Sequence, residues 1–199
     1  MKFTRIPDDT FKNLQLNAGI LLSSFSPADG TISAASILGA TSGGVSFTAT
    51  PTYSDFGEDI DNCPKNMKEL KRLESWEVKM SGTFTGVTSD LANILTGAAD
   101  KSDESGVSKV TPRNDLSQDD FADVWWVGDY SAVNDDDEGG GAKAGFIAVH
   151  VLNSLSTGGF QIQSTDDAKG KFAFEFTGHY SMADQDKVPF EIYVKQGGE

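Results

Sequence analysis

The last fifty residues of this chain are a succession of short strand-like runs separated by turns, which limits the fold to one built from many β-strands. Apolar and polar side chains alternate, or form apolar bursts, in four runs: residues 146–152, 160–163, 171–181 and 190–194. Gly, Ser, Asn and Asp fill the gaps between the runs. Because strand side chains point to alternate faces, Phe172, Phe174 and Phe176 share one face, as do Phe190 and Ile192. We predict an antiparallel β meander here, with no residue placed for chemistry.

The length and composition predict one domain over residues 1–199. The 13 Phe and 3 Trp supply enough large apolar surface for a core. No apolar run approaches the roughly 18 residues of a membrane helix, so we expect no membrane insertion. Cys63 is the only cysteine, which excludes an internal disulfide.

The charge of the chain is strongly and unevenly acidic. The formal net charge is −14, made of −3 in residues 1–99 (8 basic and 11 acidic) and −11 in residues 100–199 (8 basic and 19 acidic). Nucleic-acid binders are basic, so this balance opposes nonspecific adhesion to DNA or RNA. It indicates either simple solubility or a surface that lets a polyanion pass without holding it.

The first two thirds of the chain predict further strands and one helix. The predicted strands are residues 14–22, 45–50, 76–84 and 124–127, the last continuing to Tyr130. Ser89 precedes Leu91, Ile94 and Leu95, whose i, i+3, i+4 spacing predicts a short N-capped helix that Gly97 ends. We therefore predict a mainly β fold, an antiparallel β-sandwich or barrel-like core with one short flanking α-helix.

Four segments lack a strand or helix pattern. Residues 1–12 are predicted to be a flexible arm, and residues 98–120 a polar, irregular loop. Residues 134–141 are predicted to be a solvated hairpin tip or loop. The fourth segment, residues 52–74, is longer than most connections in compact domains, and such loops are usually functional or disordered.

The connection over residues 52–74 divides its charge between an acidic first half and a basic second half. This division predicts docking on another molecule, such as a second copy of the chain. Met67, Leu70 and Leu73 lie three apart, which predicts a short helical turn. The candidate docking residues are Asp55, Phe56, Glu58, Asp59, Asp61, Lys65, Lys68, Lys71 and Arg72.

The sequence contains fragments of catalytic and metal-binding motifs, but each lacks the companion residues that the motif requires. Residues 55–57 spell the kinase metal-binding tripeptide without its companion motifs. The acids at 135–138 lack the alternation of a calcium loop. His150 and His179 are the only histidines; neither lies in a zinc pattern, and His150 is predicted to be a hydrogen-bonded core or interface residue. We expect no catalysis, no metal and no cofactor.

Two parts of the chain carry a family resemblance. One is residues 83–86, which lead into the helix, and the other comprises residues 148–160, 164–170 and 179–190. With the order of the remaining parts, these stretches resemble the major tail tube proteins of long-tailed bacteriophages over nearly the whole chain.

The resemblance implies a structural protein of the virion tail, present in the host cytoplasm before assembly. Six copies would form a ring, and rings would stack into a tube through which DNA passes without specific binding. Inner-sheet strands of neighbouring subunits would join into the lumen wall, and residues 52–74 would form the ring-stacking loop. The implied partners are further copies of the chain, the tape measure protein, the tail terminator and distal tail proteins. The residues that face the lumen are left unassigned.

Two other functions stay open at this stage. One is a monomeric β-sandwich module that binds carbohydrate or another ligand, since Trp125 and Trp126 lie on opposite faces of one strand and one indole would then be exposed. The other is the tube protein of a contractile tail or a type VI secretion system, which shares the architecture. A capsid-decoration protein is disfavoured, because it gives the charged loop no role.

Overall fold

The computed structural model describes residue 10, residues 14–130 and residues 145–196, and 52% of the chain is in strands. Nearly all of the predicted N-terminal arm, and the predicted loop at 134–141, lie outside the described residues. The strands are β1 Gln15–Leu22, β2 Ile37–Gly39, β3 Thr41–Asp55, β4 Lys71–Phe84, β5 Ala99–Glu104, β6 Val107–Pro112, β7 Ala122–Tyr130, β8 Phe146–Ser156, β9 Phe172–Gly178 and β10 Phe190–Lys195. The helix α1 is Ser89–Thr96, and two 3-10 turns lie at Ala34–Ser36 and Gln118–Asp120.

The strands form two antiparallel sheets that share β8, in a sandwich-like arrangement, which confirms the predicted fold class. The first sheet has the order β2-β1-β7-β8-β10, and the second has the order β3-β4-β9-β8. Phe146 to Val151 pair with β10, whereas Leu155 and Ser156 pair with β9. Strand β8 therefore passes from one sheet to the other. A separate two-stranded ribbon is formed by β5 and β6.

Two apolar clusters lie on opposite faces of the first sheet. The larger cluster fills the space between the sheets and includes the buried rings of Phe172, Phe174 and Phe176, as their spacing predicted. The smaller cluster covers the outer face of the first sheet, where Phe25 packs against the rings of Trp125 and Phe146. The first sheet is thus buried on both faces over part of its area.

Helix α1 forms where its apolar spacing predicted, but its cap is one residue earlier. Thr88 is the N-cap, and its hydroxyl oxygen accepts a hydrogen bond from the backbone N–H of Leu91 at 3.2 Å. Leu91 and Leu95 are buried in the core between the sheets. Gly97 ends the helix with a φ of 82°, a conformation that glycine adopts without strain.

The two predicted long loops are shorter than expected. Strands β3 and β4 continue through the ends of the predicted 52–74 loop, so the connection is residues 56–70. The prediction of an irregular loop over 98–120 is wrong, because β5 and β6 form a hairpin there. Both strands are almost entirely exposed, so no apolar alternation marked them. Ser105 and Gly106, both with positive φ, make the two-residue turn.

Two further local predictions are wrong, and a third is confirmed only in part. The predicted strand at 160–163 is irregular apart from one bridge between Gln163 and Lys171. The predicted meander is interrupted, because β10 pairs with β8 and not with β9. The helical turn predicted over Met67, Leu70 and Leu73 forms only in its first part: the backbone N–H of Leu70 donates to the Met67 oxygen at 3.1 Å, whereas Leu73 belongs to β4 opposite Tyr53.

Candidate assembly surfaces

The hairpin of β3 and β4 extends beyond the sheet that contains it. Strand β4 pairs with β9 only from Val78 onward. Between Trp76 and Lys71 it pairs with β3 alone, from Pro51 to Asp55. A two-stranded ribbon by itself is only marginally stable in water. The stability of this projecting part therefore depends on its tip or on contacts with other molecules. We call residues 51–76 the projecting arm and residues 56–70 its tip.

Asp55 organises the tip through both of its carboxylate oxygens. One oxygen accepts the backbone N–H of Gly57 and the other that of Asn66, each at 2.9 Å. These hydrogen bonds, first that from Gly57 and then that from Asn66, lower the pKa of Asp55. The tripeptide at 55–57 is therefore an aspartate turn that closes the base of the tip.

The other charged residues predicted to dock are exposed. The acidic side chains of the tip are Glu58, Asp59 and Asp61, and the basic ones of the tip and the start of β4 are Lys65, Lys68, Lys71 and Arg72. Among the described residues of the arm, the one ion pair at the tip joins Lys68 to Glu69 at 3.5 Å, between two neighbours in sequence. Asp55 lies opposite Lys71 in the strand register, and Lys71 and Lys65 contribute to lowering its pKa, but no ion pair within 4 Å joins the acidic half of the described arm to the basic half.

Large apolar side chains on the arm are also exposed. Tyr53, Phe56, Ile60 and Leu73 are 53%, 58%, 52% and 49% exposed. The guanidinium of Arg72 lies 5.2 Å from the centroid of the Phe56 ring, which shields part of that ring from water. A run of exposed apolar residues on a projecting element is typical of a protein interaction surface.

The outer face of the second sheet is rich in hydroxyl side chains, a feature that the sequence analysis missed. Its signal was present as the period-two hydroxyls of β3. Registers place the following residues on this face: Ser46, Thr48, Thr50, Ser81, Thr83 and Thr177. The charged residues between them are Glu77, Lys79 and Glu175.

The one lysine among them is neutralised locally. The ammonium of Lys79 lies 2.6 Å from the carboxylate of Glu77, and this hydrogen bond raises the pKa of Lys79. We call this surface the hydroxyl face.

Strands β2, β3 and β10 each have an edge without a strand partner among the described residues, as do β5 and β6 of the separate ribbon. Strand β3 pairs only with β4, and β10 pairs only with β8. Exposed edges carry free N–H and C=O groups that can pair with a strand of another chain. The edge of β3 is the longest of these, and it bounds the hydroxyl face.

Neither Trp125 nor Trp126 presents an exposed ring face on which a ligand could stack. Trp125 is 7% exposed and stacks on the imidazole of His150, with ring centroids 3.8 Å apart. Trp126 is half-buried, and its indole N–H donates to the backbone oxygen of Ala18 at 3.0 Å. His150 is buried and bonded to Asp123, which confirms its predicted role in the core.

Comparison with known proteins gives no match: no protein-family model fits the chain, and no curated protein is significantly similar to it. Within the described ranges, no group of three or more His, Cys, Asp or Glu side chains is arranged to hold a metal ion. None of the described helices is long and apolar enough to cross a membrane.

Proposed function

We propose that this protein is a structural tube subunit, a major tail protein that assembles into stacked hexameric rings through which DNA leaves a virion. The proposal rests on the resemblance to tail tube proteins and, above all, on the projecting arm. The arm exposes apolar side chains and carries its acidic and basic groups in separate segments. The acidic segment of one copy would therefore attract the basic segment of the next. Such a head-to-tail contact repeats along an axis and builds a stack.

The unpaired edges support association within a ring. A long free strand edge favours aggregation unless something covers it. A closed ring in which β3 of one copy meets a strand of its neighbour covers this edge in every copy. The partners expected at the ends of the tube, namely the tape measure, terminator and distal tail proteins, belong to the same proposal.

The hydroxyl face supports a lumen role for the second sheet. It continues to the free edge of β3, so joining copies at this edge extends the face around a ring. Its hydroxyls are short, and Lys79 already has a carboxylate partner. A duplex would meet no free cation there and would slide without being held.

The test is a charge exchange on the projecting arm, read by negative-stain electron microscopy of concentrated protein. Glu58→Lys, Asp59→Lys and Asp61→Lys together are expected to abolish stacking, because both halves of the tip are then basic. Adding Lys65→Glu, Lys68→Glu and Arg72→Glu is expected to restore it, since the two halves are again opposite in charge. Rings would persist in both variants if the tip acts only between rings.

A matched control carries Glu104→Lys, Asp115→Lys and Asp186→Lys, three exposed acids outside the arm. It changes the net charge by the same amount and is expected to leave stacking intact. Loss of stacking in the control, or stacking that is indifferent to all three changes, would exclude the arm as the stacking element. A dispersed monomer at every concentration would favour a binding module, and glycan titration by tryptophan fluorescence would then follow.

A further inference from the structure

His150 is buried where three strands of the first sheet meet. Its neighbours across the sheet are Trp125 on β7 and Glu191 on β10. The Trp125 ring covers one side of the imidazole. The residue is 8% exposed, so water gives its ring nitrogens little access to other partners.

Both ring nitrogens of His150 face carboxylates. Nε2 lies 2.9 Å from Oδ2 of Asp123, and Nδ1 lies 3.5 Å from Oε2 of Glu191. Asp123 also accepts the backbone N–H of Asn153 through its other oxygen at 3.0 Å. A neutral imidazole has one N–H, so it can donate to only one of the two carboxylates.

Nδ1 is therefore the deciding atom. The short contact to Asp123 places the proton of the neutral ring on Nε2, and Nδ1 is then a buried nitrogen without a hydrogen-bond partner. Its lone pair would face a carboxylate oxygen, which is repulsive. A second proton turns this contact into a charge-assisted hydrogen bond.

We infer that His150 is a proton-operated clip that fastens β10, an edge strand of the first sheet, to β7 and β8 when the imidazole carries both protons. In the singly protonated state the bond to Asp123 remains, and the one to Glu191 is lost. Opening of β10 is thereby coupled to pH, while the rest of the sandwich keeps its packing.

The groups around the clip define its pH window. Tyr193 donates to Oε2 of Glu191, and this bond, followed by contacts with Lys187 and His150, lowers the pKa of Glu191. The carboxylate thus remains charged below its ordinary range. The contact between Nδ1 and Glu191 is a hydrogen bond only while the imidazole carries both protons, so it is present at lower pH and lost at higher pH. It is lost again only where Glu191 takes up a proton.

The test is amide hydrogen exchange of β10, corrected for intrinsic rates, at about pH 5.5 and about pH 7.5. In the unchanged protein, the opening equilibrium of β10 is expected to be about tenfold smaller at the lower pH, as one charge-assisted hydrogen bond implies. Glu191→Gln keeps the side-chain length and an oxygen for Tyr193 but removes the charge, so it should flatten this profile. His179→Asn removes the other histidine and should leave the profile unchanged.

A second measurement reads the protons directly. Nitrogen-15 spectra of the two imidazoles, assigned with His179→Asn, are expected to show His150 protonated on both nitrogens at the lower pH and on Nε2 alone at the higher pH. A His150 that stays singly protonated at the lower pH in folded protein would overturn the inference. So would a β10 profile that is flat, survives in Glu191→Gln or disappears in His179→Asn.

Discussion

At the scale of single residues, close contacts make certain glycines indispensable. Gly19 has a φ of 67°, and a β-carbon there would lie 2.5 Å from the Trp126 indole and 2.6 Å from the backbone oxygen of Val127. Gly43 has a φ of 81°, but nothing lies within 4 Å of a β-carbon there. The two positions share the same kind of backbone and differ in crowding.

Gly19→Ala is expected to destabilise the fold clearly more than Gly43→Ala. Left-handed backbone costs alanine about 1 kcal/mol at both positions. At Gly19 the displaced indole and strand add roughly 1–3 kcal/mol. Denaturant unfolding of both variants measures the difference directly, and equal losses would mean that the sheet accommodates the methyl group at Gly19.

The carboxylate of Asp55 gives the tip a pH dependence with a defined sign. Its pKa is lowered by the N–H groups of Gly57 and Asn66, so the order that it confers is present above the ordinary aspartate range. This order is lost as pH falls through the lowered pKa. The amide resonances of Gly57 and Asn66 are expected to shift together below the ordinary aspartate range, and Asp55→Asn should abolish the shift. A shared midpoint at or above that range would contradict the assignment.

At the scale of elements, the N-cap of α1 lies one residue before the position that the sequence pattern predicted. The apolar spacing located the helix, but Thr88, Ser89 and Asp90 are all good capping residues, so composition could not choose among them. The hydroxyl of Thr88 is the one bonded to the Leu91 amide.

Thr88→Ala is expected to cost about 1 kcal/mol of unfolding free energy, because an orphan amide of the first turn loses its acceptor. Ser89→Ala, one residue further on, is the matched control and should change stability by less than about 0.5 kcal/mol. Thermal unfolding compares the two. A larger loss at Ser89 would show that the cap shifts along the chain in solution.

At the scale of the whole molecule, the net charge of −14 and the hydroxyl face act in the same direction. Under the proposed function, repulsion would keep free protein from adhering to DNA, and the hydroxyl face would add no unpaired cation. A duplex in contact with that face would then be mobile, as the proposed conduit requires.

If the hydroxyl face lines the proposed tube, adding lysines to it should make it bind DNA. Tubes assembled from the variant with Thr48→Lys, Thr50→Lys and Thr177→Lys are then expected to retain duplex DNA in a nuclease-resistant form that salt releases. The matched variant places lysines at Ser102, Thr111 and Ser164, exposed positions away from this face, and should give no protected DNA. Protection in the matched variant alone would assign the lumen to another surface.

Local patterns in the sequence locate those elements that bury one face in the core. Alternation in residues 76–84 and in the Phe172, Phe174 and Phe176 triplet fixes which side chains turn inward, because strand side chains repeat every two residues. The 3.6-residue spacing of Leu91 and Leu95 located the helix in the same way. Such patterns occur in the sequence wherever a strand or helix buries one face in the core.

The pairing of the strands, in contrast, follows from the tertiary structure. Strand β10 joins β8 instead of its predecessor, and β8 serves both sheets, because pairing depends on contacts between distant segments that no local pattern encodes. Strands β5 and β6 are almost entirely exposed, so no alternation of buried and exposed side chains marks them in the sequence. The two carboxylates beside His150, and the free edge of the hydroxyl face, likewise follow from strand order and register, which local patterns leave open.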